Sequence, residues 1–198
     1  MTLYLSIIGI AMLIISVLNI LFETAAWYWV IISVIWCTAL QFGLDGAIAI
    51  IINKMPDRWF SIDKKLYQVS KKELDIYRRL RVREWKDKVW ELGGLGGFSK
   101  KNLTDPTNPE YIEKFIIECN KGVMTHKLSY PIGFLAMLTL PAPCAMTIAL
   151  PVAIVNVFLN FLPTTILRYN TPMLMSVLYR LRRKKEKSSL PLGDSGNS

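Results

Sequence analysis

Histidine is almost missing from this sequence: His126 stands alone, and only three cysteines, Cys37, Cys119 and Cys144, accompany it. Three scattered cysteines suit neither a disulfide framework nor a zinc site, and one imidazole makes a Cys/His metal centre untenable. No metal and no bound cofactor is therefore expected, and the cysteines read as small hydrophobes. Positive charge is missing too from the first 53 residues, since all 24 Lys and Arg lie at Lys54 or beyond, 17 of them in residues 54–127 and seven in residues 168–187. A secretory signal needs cations ahead of its apolar stretch, so the N-terminal run does not read as one. The chain has no Gly-x-Ser-x-Gly elbow, no P-loop and no dinucleotide fingerprint, which leaves covalent serine catalysis and nucleotide-dependent chemistry without support.

What the chain does have is apolar sequence in long blocks. Hydrophobic residues make up 52% of it, and they gather in residues 3–22, 25–53 and 128–167 rather than alternating with polar ones. Continuous runs near 20 residues match the thickness of a bilayer, whereas a water-soluble core draws its apolar residues from single faces. The predicted fold is an all-α membrane protein with four transmembrane helices arranged as two hairpins. Both termini are cytoplasmic, because that orientation places every basic residue on the inner side. The net charge of +9 then reads as topology and attraction to anionic lipid, and no nucleic-acid partner is expected.

The chain divides into a first transmembrane hairpin at 1–53, a basic interfacial module at 54–127, and a second hairpin at 128–170. An amphipathic basic tail helix at 171–187, opened by Thr171-Pro172, and a disordered tail at 188–198 follow. The module carries helical spacing over residues 71–92, with Arg78, Arg79, Arg81 and Arg83 between apolar positions, which predicts one amphipathic helix on the membrane surface. Residues 93–97, a run of four glycines around Leu95, end it. Asn108-Pro109 is a good start for the next helix, since Asn caps and Pro suits the first turn. Pro141 and Pro143 mark the turn of the second hairpin, whose first arm, about 14 residues, leaves a re-entrant segment open. Pro151 and Pro163 predict kinks in the second arm.

Several polar residues fall where chemistry could occur. Asp45 interrupts the second apolar run and reads either as an interfacial carboxylate, the favoured reading, or as an intramembrane functional group. Asn156 and Asn160, four apart, share one helix face at membrane depth, as interhelical glue or as the lining of a cleft. His126 lies at the junction of module and membrane, the depth at which a lipid headgroup arrives, and is the natural general base. Glu118 is the nearest carboxylate, but eight residues of continuous helix set the two about 12 Å apart along the axis, so they meet only if the helix breaks near Gly122. Cys119 is a nucleophile only with a lowered pKa, for which the sequence gives no cause.

Four stretches carry a family resemblance: Met55-Pro56-Asp57-Arg58-Trp59-Phe60; Val82-Arg83-Glu84-Trp85-Lys86-Asp87-Lys88; Tyr111-Ile112-Glu113-Lys114-Phe115-Ile116-Ile117-Glu118 with His126 after it; and Asn160, Pro163 and Arg168-Tyr169-Asn170-Thr171-Pro172. In this order they resemble the glycosyl-4,4'-diaponeurosporenoate acyltransferases of bacterial carotenoid pathways. The resemblance implies transfer of a fatty acyl group to a sugar hydroxyl of a glycosylated lipid at the inner face of the cell membrane by a multi-pass enzyme. His126 is then the expected base with Glu118 supporting it. Trp85, Lys86, Asn160, Arg168, Tyr169 and Asn170 are expected to shape the site or bind carbonyl and anionic groups. Expected partners are membrane lipids, a lipid-linked acceptor and an acyl donor, acyl-CoA or an acyl-carrier protein, with a homo-oligomer left open. The competing reading is a non-catalytic membrane scaffold or lipid-binding component of a cell-envelope assembly.

Overall fold

The computed structural model describes residues 2–89 and 103–189, and all regular structure among them is helical. The glycine-rich residues 93–97 and residues 190–198 of the tail lie outside the described residues. The apolar N-terminal runs form α1 (Thr2–Leu21) and α2 (Trp27–Lys54), joined by a tight turn in which Glu23 takes a positive φ of 49°. A short 3₁₀ turn at Asp57–Phe60 leads to α3 (Lys71–Arg79) and α4 (Val82–Trp85). The long α5 (Pro109–Ile132) continues as a 3₁₀ run over Gly133–Thr139. After the turn come α6 (Ala142–Cys144), one π-helical stretch at Ala145–Ala149, and α7 (Leu150–Ser189).

Three helical stretches, Tyr4–Leu21, Trp27–Lys54 and Ala142–Lys187, are long and apolar enough to cross a membrane. Their exposed faces are greasy: Leu13, Leu21, Trp27 and Trp36 all lie more than half exposed, a cost in water and the normal state against lipid. The third predicted arm does not stand as a separate helix. It is the end of α5 plus its 3₁₀ extension, and the looser rise of a 3₁₀ helix, about 2.0 Å per residue against 1.5 Å, lengthens an apolar segment too short for an ordinary crossing.

Two further expectations are corrected. The amphipathic helix predicted over 71–92 is broken after α3 by Arg81, whose φ of 54° is left-handed. Trp85 closes the break, donating its indole N–H to Leu80 O at 3.0 Å. The tail helix predicted to open at Thr171-Pro172 does not exist as a unit, because α7 runs through that dipeptide for 40 residues. Thr171 is buried and its hydroxyl donates back to Leu167 O at 2.9 Å, which is what threonine does inside a helix rather than at its N-cap.

Asn108 does cap α5, its Oδ1 accepting from Glu110 N at 3.0 Å and Tyr111 N at 3.3 Å. α5 and α7 pair along an apolar seam in which Ile112, Ile116, Cys119 and Val123 meet Leu167, Leu174 and Leu178. Spacings of three and four residues on both helices put each set on one stripe. Ion pairs Arg182–Glu113 at 2.6 Å and Lys185–Glu110 at 2.7 Å fasten the basic end.

Prolines explain how α1 docks. Pro163 has no N–H for Leu159 O, four residues back, and Pro151 has none for Thr147 O. The Tyr4 hydroxyl donates to Leu159 O at 3.1 Å and Asn19 Nδ2 to Thr147 O at 2.9 Å. In a bilayer neither carbonyl has water as a substitute, so α1 is positioned where α7 and the π-helical stretch before it need donors. Tyr4→Phe and Asn19→Leu are each expected to lower stability by about 1 kcal/mol, seen as a lower midpoint of thermal unfolding in detergent.

Candidate active site

The site is built where α2, α5 and α7 converge. α5 presents His126 and α7 presents Asn160, with the imidazole Nδ1 2.7 Å from Asn160 Oδ1. The amide nitrogen of Asn160 donates to Asp45 Oδ2 on α2 at 3.0 Å and to Asn156 O and Oδ1 at 3.1 Å each. Asn156 Nδ2 also reaches Asp45 Oδ1, at 3.5 Å. A carboxylate only accepts, so Asp45 fixes which end of the Asn160 amide faces it and leaves Oδ1 toward the ring. An oxygen there requires Nδ1 to carry a proton, and in the neutral ring Nε2 then holds the lone pair. Asn160 is itself buried, and its carbonyl accepts from Thr164, whose hydroxyl accepts from Tyr130 at 3.0 Å.

Gly133 lets the helices come this close. A Cβ there would stand 2.8 Å from Gln41 Oε1 and 3.1 Å from Asn156 Nδ2, while Gln41 Nε2 donates to Gly133 O at 2.6 Å. Gly133→Ala is expected to push Gln41 and Asn156 aside and cost about 1–2 kcal/mol by overpacking. It should also lower turnover through Asn156, and assaying both quantities in one purified preparation checks the pair of effects.

The other expected site residues sit elsewhere. Glu118 does not reach His126: α5 is unbroken across Gly122, and Glu118 accepts from Lys121 at 3.0 Å. Lys121, buried at 6% exposure, also meets Asp57 at 2.6 Å. Burial alone pulls its pKa down, but bonding to Asp57 and Glu118 outweighs that and holds it above the ordinary lysine value. Arg168 is buried at 7% exposure and makes four hydrogen bonds to protein. It forms a two-point ion pair with Glu73 and donates to Leu66 O and Gln68 O at 3.1 Å each.

Its guanidinium thus acts as a clamp on the 66–68 segment. Tyr77 bonds to Glu73 as well, and burial with the Glu73 contact pushes its phenol well above the usual range. Lys86 Nζ donates to Asn170 Oδ1 at 3.4 Å. Trp85 and Tyr169 pack around Tyr77, Val82, Val89 and Ile166. The structure therefore separates two groups, His126–Asn160–Asp45 and the Arg168–Glu73 corner, with Asn160 and Arg168 about 12 Å apart along α7. Lys127, next to His126, senses the second group: burial and the Arg168 charge push its pKa down, with Glu73 opposing.

Asp45 is the residue the sequence undervalued. Its place inside an apolar run was the available signal, but nothing local marks a partner 115 positions away. Among the described residues no cluster of three or more His, Cys, Asp or Glu that would hold a metal occurs.

A helical bundle with apolar helices long enough for a bilayer, closed around a polar seam, is a membrane protein. Residues 56–180, well over half of the chain, match the family described as glycosyl-4,4'-diaponeurosporenoate acyltransferase. The chain belongs to that family and is an acyltransferase. No curated protein and no solved structure matches it. His126 and Asn160 fall within the matched residues, and Asp45 precedes them.

Proposed function

We propose that the protein is a multi-pass enzyme of the cell membrane that transfers a fatty acyl group from a thioester donor to a hydroxyl of a glycosylated lipid at the inner face, with His126 as general base. The observation that carries this reading is the bond from His126 Nδ1 to an Asn160 amide oriented by Asp45. Nε2 takes the proton of the acceptor hydroxyl as its oxygen bonds to the thioester carbonyl carbon. The tetrahedral oxyanion collapses, the carbon–sulfur bond breaks, and the imidazolium returns the proton to the departing thiolate. No covalent enzyme intermediate is needed, since positioning and one base are sufficient for direct transfer.

Four crossings with both termini inside fit this chemistry. The basic ends of α2 and α7 and the module between α2 and α5 then share one side. The apolar end of α5 and its 3₁₀ extension make the third crossing. The test is lipid analysis of cells carrying the wild-type chain, no chain, or His126→Ala. An acylated glycolipid is expected only with the wild type, and normal product from inserted His126→Ala protein removes the base from the mechanism. The acceptor is the lipid that accumulates unacylated in the deletion.

A further inference from the structure

At the cytoplasmic end, α5, α7 and the 62–69 segment line an open cleft of about 610 Å³, the size of a small-molecule site. Its walls mix apolar groups with Asn120, Thr171, Ser176 and Tyr179, and Arg180 and Arg183 also line it. Among the described residues no acidic side chain lines it. The cations of α7 are treated unequally. Arg182 and Lys185, on the α5 side, are neutralised by Glu113 and Glu110. Among the described residues Arg180 bonds within its own helix, through Nε to Ser176 O at 3.3 Å, and neither it nor Arg183 meets a carboxylate.

Thr171, in the cavity wall, and Asn160 lie on nearly the same face of α7, eleven residues or about 16 Å apart. The cavity wall at Gln68 is held in place by Arg168. A ligand held here needs a linear arm of about 16 Å along α7 to reach Asn160 and His126.

Resting on the acyltransfer reading, we propose that this cavity binds the phosphate-bearing end of the acyl donor, an acyl thioester on a phosphorylated pantetheine of the coenzyme A type. Arginine suits phosphate because its fork bonds two oxygens at once. Ser176 and Thr171 offer hydroxyls to the arm, and the mixed walls accept its alternating amide and methylene groups.

The experiment is direct binding of coenzyme A to the full chain in phosphatidylcholine nanodiscs, with wild type, Arg180→Gln/Arg183→Gln, Ser176→Trp and His126→Ala. The arginine pair is expected to weaken binding by about tenfold or more. Ser176→Trp should do the same by filling the cavity with every charge intact. His126→Ala should bind as the wild type does, so loss of the base reading and loss of this one are separable. Pantetheine without phosphate should bind equally weakly to wild type and the arginine variant. Unchanged affinity in both cavity variants overturns the proposal. So does displacement of coenzyme A by a modest fraction of phosphatidylglycerol in the nanodisc, which would make the cavity a lipid-headgroup site.

Discussion

Alanine in place of His126 is expected to lower acyl transfer by about 10²–10⁴-fold, the usual contribution of a positioned general base. The loss should appear in kcat, because the imidazole is needed as the proton moves rather than when substrates bind. Asn160→Leu should fall most of the way to the same level, since the ring then loses the acceptor that fixes its tautomer. Asp45→Asn is the sharper variant. An amide at 45 can donate, so Asn160 is free to turn its NH₂ toward Nδ1, which forces the proton to Nε2 and blocks the base. A drop of about 100-fold or more from this isosteric change is expected by analogy with other oriented imidazoles. His126→Ala combined with either variant should be little worse than His126→Ala alone, because the three groups act as one unit. Additive losses in steady-state kinetics would mean that Asp45 and Asn160 serve something other than the ring.

The sequence discloses what depends on long runs and local capping. α1 and α2 follow from two apolar stretches of the right length, and the start of α5 from Asn108-Pro109. The turn between the 3₁₀ run and α6 falls at Pro141, where a proline pair announced it. Breaks and continuities inside helices were less legible. Arg81 adopts a left-handed conformation with neither Gly nor Asn to favour it, and the local bond from the Trp85 indole to Leu80 O closes the break. Thr171-Pro172 has the letters of a helix start, yet Thr171 is buried and bonds back to Leu167 O, so the helix continues.

The same division holds in the site. Asn156 and Asn160 were readable as a polar pair because their spacing is local, and His126 because it is the sole imidazole. Their union with Asp45 was not, since it depends on how α2 crosses α7. Arg168 shows the converse. Its chemistry suggests an anion site, but Glu73 and two carbonyls from a segment about 100 residues away had already claimed its donors.

Arg168→Met is the substitution expected to cost most in stability, about 3 kcal/mol or more, because it strands the Glu73 carboxylate without its partner. Glu73 is partly exposed at 25% of its side chain, which keeps the figure at the low end of what buried pairs show. The double variant Glu73→Leu/Arg168→Met should be less damaged than Arg168→Met alone, since two well-packed apolar groups leave no charge to desolvate. Acid should mimic the single change. The Arg168 guanidinium bonded to Glu73 holds its carboxyl below the ordinary value near 4.5, against burial, which pushes it up, and with help from Tyr77. A lowered folded pKa means that the pair's stabilisation is complete above about pH 4.5 and fades as pH falls through the folded value. Thermal midpoints of the wild type should therefore drop below that pH, and those of the double variant should not share this part of the decline. Because Arg168 also fixes the Leu66 and Gln68 carbonyls, coenzyme A binding should weaken in Arg168→Met at temperatures where the chain is still folded. A variant that loses stability but keeps full binding would show that the 66–68 wall holds its shape without the clamp.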